Sequence, residues 1–470
     1  MTSVKEAPVP PSVKASEGRV AERVGLGYER GMQSPVVESR RGFMRRGVGV
    51  VASAIAMPNL ISSGVLAADG RPGANDRIGI GFIGMGRQAS SLLAELNRLP
   101  EARVVAVADV NLVRAREVAV KHGAVALQDY RRLLERKDVD AVITATPEHW
   151  RVLICVESCQ AGKDVYAEKP MSLTIREGRL IVEAARRNKR VFQVGSQQRS
   201  MIRNRIGCDF IRSGGAGRIE KVVAHNYPTP WEQSLPGEAI PDELDWEMWC
   251  GPSPKVPYHK DLYLPRANPG WLSFRPYSGG EMTGWGAHGL DQIQWALGMD
   301  ESGPVEIWSE GPPHEPPTYR AAESADRGNE LCSRRKVFFR YANGVVVEPG
   351  DAPMGGAVFV CSKGTVKINR GVCESDPHEL IEETIRNRPQ GVNESHVKNW
   401  LDCIRSRAKP VADVEIGHRT ATMCHLGNIA RWTGRKLRWD PVKEVFPEDA
   451  AANGFLDRER RKPWVLRGDA

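Results

Sequence analysis

Gly84-Met85-Gly86-Arg87-Gln88-Ala89 sets two glycines and a small residue at the G-x-G-x-x-A spacing, and Asp109 follows 25 residues after Gly84. Those residue types in that order suit a dinucleotide. Gly84 permits a tight turn, Gly86 lets backbone approach a pyrophosphate, and Ala89 allows close helix–strand packing. The unpaired N–H groups of a helix N-terminus would face the phosphates. Asp109 would accept the hydroxyls of the adenosine ribose and repel a 2′-phosphate, which favours NAD over NADP. Met85, Arg87 and Gln88 in the turn, and Asn111 just past the acid, are further candidate cofactor contacts.

Downstream lies a second set of chemistry-bearing residues. Lys169, between Glu168 and Pro170, follows a short apolar run. A lysine at the carboxyl end of a strand in a doubly wound sheet points into the ligand crevice. Partial burial would lower its pKa and suit it to proton relay or to polarising a substrate oxygen. His288 and Asp291, three apart on a helical stretch, share a face. Seven of the twelve tryptophans fall between Trp231 and Trp308. Flat aromatic faces stack on sugar C–H surfaces, and Trp271 and Trp285 flank the His288 segment. No Cys or His spacing suggests a metal site.

The elements that must position these residues are legible from Arg77 onward. Ile78–Ile83, Val104–Ala108, Ala141–Thr144, Val165–Ala167 and Val191–Val194 read as strands. Gln88–Leu99, Leu112–His122, Trp150–Ala161 and Ile175–Asn188 read as helices between them. That alternation predicts βαβ units and a parallel sheet. Glu281–Leu297 reads as a loop entering a helix.

Three further segments carry a family resemblance: Ala145-Thr146-Pro147-Glu148-His149, Glu168-Lys169-Pro170, and Gly279-Gly280 followed by His288-Gly289-Leu290-Asp291. With the glycine turn they resemble the Gfo/Idh/MocA oxidoreductases, the glucose–fructose oxidoreductase and inositol dehydrogenase group. Gly417-His418-Arg419-Thr420-Ala421, Asn428-Ile429-Ala430 and Arg461-Lys462-Pro463-Trp464 resemble its exported bacterial branch. The resemblance implies an α/β chain: a Rossmann domain over 69–195, then an α+β domain over 196–440 with an open, largely antiparallel sheet, and a C-terminal arm over 441–470. It implies a catalytic Lys169, aided by His288 and Asp291, and a Pro170 that follows a cis bond. Thr146, Pro147, His149 and Glu168 would line the cofactor. Gln197 and Arg199, where the composition changes, join Trp271 and Trp285 as substrate candidates. The family pattern Asp-x-x-x-His-x-x-Asp is broken here by Gly284, so Asp291, Glu281 or an acid from elsewhere would replace the missing carboxylate, or Lys169 would act as the main base. His418 and His425, seven apart on a late helix, face one way; one is placed near substrate and neither as a metal ligand.

Location is the remaining expectation. Ser39-Arg40-Arg41-Gly42-Phe43-Met44-Arg45 has the form of a twin-arginine export signal, within a polar and then moderately apolar leader over 1–68. The formal charge of +8 includes nine Lys/Arg and five Asp/Glu from that leader. No dense basic run remains to suggest a nucleic-acid partner. All nine cysteines follow the leader; Cys155 and Cys159 are spaced to meet on a helix, and most of the nine read as small buried hydrophobes. The expected protein is periplasmic, or anchored by an uncleaved leader, and a homo-oligomer in keeping with its resemblance. It would use the export machinery and a carbohydrate or cyclitol substrate, with a tightly held NAD. Redox-neutral glycoside cleavage and a non-catalytic sugar-binding role are the alternatives.

Overall fold

The computed structural model describes residue 73 and residues 76–264, 270–321, 325–387 and 393–466. The leader and its arginine pair lie outside the described residues. Among the described residues no helix is long and apolar enough to cross a membrane.

Six strands form the first sheet: β1 (Ile78–Ile83), β2 (Ala102–Ala108), β3 (Val125–Leu127), β4 (Ala141–Thr144), β5 (Asp164–Ala167) and β6 (Phe192–Val194). Their order is β3-β2-β1-β4-β5-β6, and every pairing is parallel. The strand order reverses between β1 and β4, which opens the ligand crevice at their carboxyl ends. Helices α1 (Arg87–Leu96), α2 (Leu112–His122), α3 (Glu148–Gln160) and α4 (Ile175–Arg187) connect the strands. β3 escaped the sequence reading: it is a three-residue edge strand without a fully buried position, so it carries no strong alternation.

The second sheet has eight strands. They are β7 (Ile219–Ala224), β8 (Glu306–Glu310), β9 (Lys336–Arg340), β10 (Val346–Pro349), β11 (Ala357–Cys361), β12 (Gly364–Asn369), β13 (Val372–Asp376) and β14 (Leu437–Arg438). Their order is β13-β12-β11-β7-β10-β9-β8-β14. All pairs are antiparallel except β7 with β10, so the sheet is mixed. Helices α5 (Ile202–Arg212), α6 (Gly286–Ala296) and α8 (Val414–Thr433) contribute to one core with it. Helix α7 (His396–Ser406) instead returns to the first sheet, where Val397, Trp400 and Leu401 pack with α1 and Tyr166. The 196–440 segment therefore completes the Rossmann layer as well as building its own.

One addition lines the crevice and a second braces it from behind. Residues 231–264 and 270–277 form an aromatic strap, with Trp246 and Trp249 stacked at 4.4 Å. It is sewn to the Rossmann domain by Leu112 N–H to Glu243 O (3.0 Å), Asp245 N–H to Val110 O (2.9 Å) and Trp150 Nε1–H to Met248 O (2.8 Å). The C-terminal arm crosses behind it. Arg458 donates to His149 O (2.8 Å) and Ser253 Oγ (3.1 Å), and Trp464 packs edge-on against Trp150 at 5.0 Å. All nine cysteines are buried free thiols, Cys155 and Cys159 among them.

Candidate active site

A crevice of about 490 Å³ runs along the carboxyl ends of β1, β2, β4 and β5. Gly84, Met85, Gly86, Arg87, Gln88, Asp109, Thr146, Pro147, Glu168 and Lys169 all line it, as does Trp271 of the strap. Gly84 adopts φ +81°, and a Cβ there would stand 2.8 Å from Thr146 Cγ2. A Cβ on Gly86 would meet nothing within 4 Å, so the backbone there faces open space at the N-terminus of α1. Asp109 is buried; its Oδ2 accepts the Met85 N–H at 2.7 Å and its Oδ1 the Asn111 N–H at 2.8 Å. An open cradle of backbone at a helix N-terminus, with a carboxylate at the end of β2, fits the phosphates and ribose of NAD. Replacing Gly84 by alanine is expected to strain this turn by roughly 1–2 kcal/mol and to weaken NADH binding about tenfold, read by fluorescence titration.

At the other end of the crevice the two domains meet. The bond before Pro170 is cis, and Lys169 Nζ donates to Gly284 O at 2.9 Å. Glu168 is buried beneath it and accepts from Gln88 Nε2 at 3.0 Å. Burial pushes its carboxyl up, against the opposing pull of Lys169 and Arg151. The expected loop-then-helix over 281–297 is two helices, Glu281–Gly284 and α6. A Cβ on Gly284 would stand 2.7 Å from Glu281 Oε2. The Glu281 carboxylate thus occupies the space that a side chain at 284 would take. His288 lies one turn further on, buried, with its ring 5.8 Å from that of Trp285.

Several sequence expectations are corrected by burial. Asp291 is not available for proton transfer: it is 1% exposed and accepts from Arg199 Nε (3.0 Å), Arg199 Nη2 (2.8 Å) and Thr420 Oγ1 (2.8 Å). Arg199, placed with the substrate, is spent on that pair and on Asp300. His149 does not line the crevice. It is fully buried, bonded to Trp249 O at 2.8 Å and wedged between Trp249 and Tyr277, and burial depresses its pKa to about 3. Asn111 stands behind Asp109, where its Oδ1 caps α2 by accepting the Arg114 N–H. Gln197 and Trp285 lie outside the nucleotide crevice; the Trp285 ring carries the Arg370 guanidinium at 5.1 Å. Neither His418 nor His425 reaches the crevice: one is buried against Glu444, the other against Ser172 O.

Some residues of the site were missed. Arg114 and Tyr263 line the Asp109 end, with the guanidinium 5.5 Å above the ring. Arg151 lines the crevice too, and Glu148 is fully buried beside it. Glu148 and Arg151 stand close to the quoted Thr146-Pro147 turn, but their partners are distant in sequence.

Residues 78–196 match the family model described as an oxidoreductase family, NAD-binding Rossmann fold, and residues 216–466 match its C-terminal alpha/beta domain. The chain belongs to the Gfo/Idh/MocA oxidoreductase family. Within this family an inositol 2-dehydrogenase of Rubrobacter xylanophilus is 31% identical over 147 residues, 31% of this chain and 42% of the relative. A glycosyl hydrolase family 109 protein of Shewanella baltica is 33% identical over 185 residues, 37% of each chain. The chain therefore spans about two fifths of the length of these curated relatives. The WlbA dehydrogenase from Bordetella pertussis, solved in complex with NADH and UDP-GlcNAcA, shares the fold. Its TM-score is 0.54 at 17% identity, covering 77% of this chain and 99% of that one. Membership makes the domain that holds the Gly84–Asp109 crevice the NAD-binding Rossmann domain of a Gfo/Idh/MocA oxidoreductase.

Proposed function

We propose that this protein transfers hydride between its nicotinamide cofactor and a secondary alcohol of a sugar, cyclitol or glycoside, outside the cytoplasm, without releasing the cofactor between turnovers. The observation that carries the reading is the bond from Lys169 Nζ, on the wall of a crevice shaped for NAD, to Gly284 O, with the Glu281 carboxylate filling the side-chain position of that same Gly284. NAD, when bound, supplies the hydride acceptor. Lys169 polarises the substrate oxygen through its Nζ proton, and Glu281 Oε2 holds the proton that the hydroxyl loses. His288 is the second proton-holding group of that segment. Glu281 thereby takes up the work for which position 284 has no side chain.

The strap supports retention, since it lines the crevice and bonds to the Rossmann domain there, and the arm braces that region from behind. The Ser39–Arg45 sequence supports export, and an exported enzyme is cut off from the cytoplasmic pool that recycles its cofactor. Mass spectrometry of protein purified from the periplasm is expected to find bound nucleotide. A panel of sugars, cyclitols and glycosides then reports turnover through nicotinamide absorbance. A protein that carries no nucleotide and binds NAD only at millimolar concentration would overturn the retention. Glu281→Gln is expected to slow turnover by about a hundredfold with nucleotide still bound.

The Shewanella baltica relative favours a second reading. In that reading, transient oxidation of a sugar carbon acidifies its neighbour, the aglycone is eliminated, and NAD is restored within each turnover. Release of a free aglycone without net NADH selects this second reading.

A further inference from the structure

Glu148 and Arg151 lie one turn apart at the start of α3, and each reaches a different domain. Glu148 accepts Ser278 Oγ–H at 2.7 Å, the Gly279 N–H at 3.0 Å and Thr283 Oγ1–H at 3.2 Å. Arg151 Nη1 donates to the carbonyls of Glu168 and Pro170, and its Nη2 to that of Thr146. The carboxylate therefore grips the loop that leads into Glu281, Gly284 and His288. The guanidinium grips both Rossmann turns that border the nicotinamide end, with Lys169 held between two of its three acceptors.

Both groups are held at a cost. Glu148 is 0% exposed and Arg151 3%. Burial pushes the Glu148 carboxyl up to about 7 and pulls Arg151 down. Closing a loop against a helix does not require a fully buried carboxylate, because apolar packing of similar volume does it at lower cost. The loop is itself shaped for the contact. Gly280 sits at φ +73°, a Cβ on Gly279 would lie 2.3 Å from Thr283 Cγ2, and Asn428 Nδ2 holds Gly279 O from α8 at 2.8 Å.

We propose that Glu148 and Arg151 are positioning residues that keep Lys169 in register with the Gly279–His288 segment. One helical turn then aligns the two halves of the site, and the Lys169 Nζ to Gly284 O bond is the readout of that alignment. The turnover arm of the test rests on the proposed reading above; the exchange arm does not.

Glu148→Gln in the full chain is expected to raise amide hydrogen exchange across residues 278–284 about tenfold, while NADH affinity, read by fluorescence titration, moves less than about threefold. On a sugar that the wild type oxidises, kcat is expected to fall about thirtyfold with KM nearly unchanged. Thr283→Val removes one donor to the same carboxylate and is expected to act in the same direction. The two kcat losses should fail to add in the double variant, as for residues sharing one network. A folded Glu148→Gln protein with unchanged exchange, or with KM rising and NADH affinity falling together with kcat, overturns the proposal. Should Glu148→Gln not fold, Thr283→Val decides by the same criteria. If the wild type oxidises no sugar, the proposed function fails and the exchange result still decides the role of Glu148.

Discussion

Lys169→Met is expected to lower turnover by about a thousandfold while the protein keeps its nucleotide. Methionine preserves most of the stem and removes only the ammonium. What goes is the donor to Gly284 O and a cation placed directly beside the Glu281–Gly284 turn. The cofactor contacts should survive, because the Met85 N–H, Asp109 and the α1 N-terminus lie at the other end of the crevice. A second consequence falls on Glu168. Lys169 is the largest influence holding its carboxyl down against burial, so the variant drives that group further towards its neutral form. Single-turnover reduction of bound nucleotide separates the outcomes. A Lys169→Met protein that reduces its nucleotide at the wild-type rate would remove the lysine from the chemistry.

Arg199→Met is expected to have the largest effect on stability, roughly 3–5 kcal/mol. Arg199 is 2% exposed and sits between Asp291 and Asp300, with the Trp295 ring 5.0 Å from its guanidinium. Removing it strands Asp291 in the core, with Thr420 Oγ1 as its remaining hydrogen-bond donor among the described residues. The sign of the pH dependence follows from burial. Desolvation raises the Asp291 carboxyl even in the wild type, and Arg199 opposes it. In the variant that opposition is gone. A carboxyl raised above its unfolded value costs stability as pH climbs past the unfolded value, so the deficit should be greater at pH 8 than at pH 5. Denaturant unfolding at the two pH values checks it. Arg199→Met combined with Asp291→Leu should regain much of the loss, since an apolar pair of similar volume replaces the ions.

Local pattern carried the nucleotide half of the molecule. Gly84, Asp109 and Lys169 are each positioned by a turn that directly follows a strand, and strand, turn and helix are adjacent in sequence. The residues that sequence reading misplaced are those whose partners are remote. Arg199 and Asp291 are 92 residues apart and Glu148 and Gly279 are 131 apart, distances at which periodicity says nothing. His149 and Glu148 show how fine the limit is. They are neighbours at the start of α3, yet one faces the aromatic strap and the other the catalytic loop. The turn before them was legible, but which side chain faced which domain was not. Glu281 was legible only as one acid among several, because its value depends on its carboxylate filling the volume over Gly284.

The arm that crosses the strap also orders events in time. Arg458 donates to His149 O across 309 residues of chain, and Trp464 reaches Trp150 on the same helix. A ribosome finishes the glycine turn and Lys169 long before it makes either of those late residues. The residues that line the crevice end at Leu272, so its walls are made well before the arm that braces them from behind. Walling and bracing are thus separate steps, with the second waiting on the last stretch of the described chain to be made.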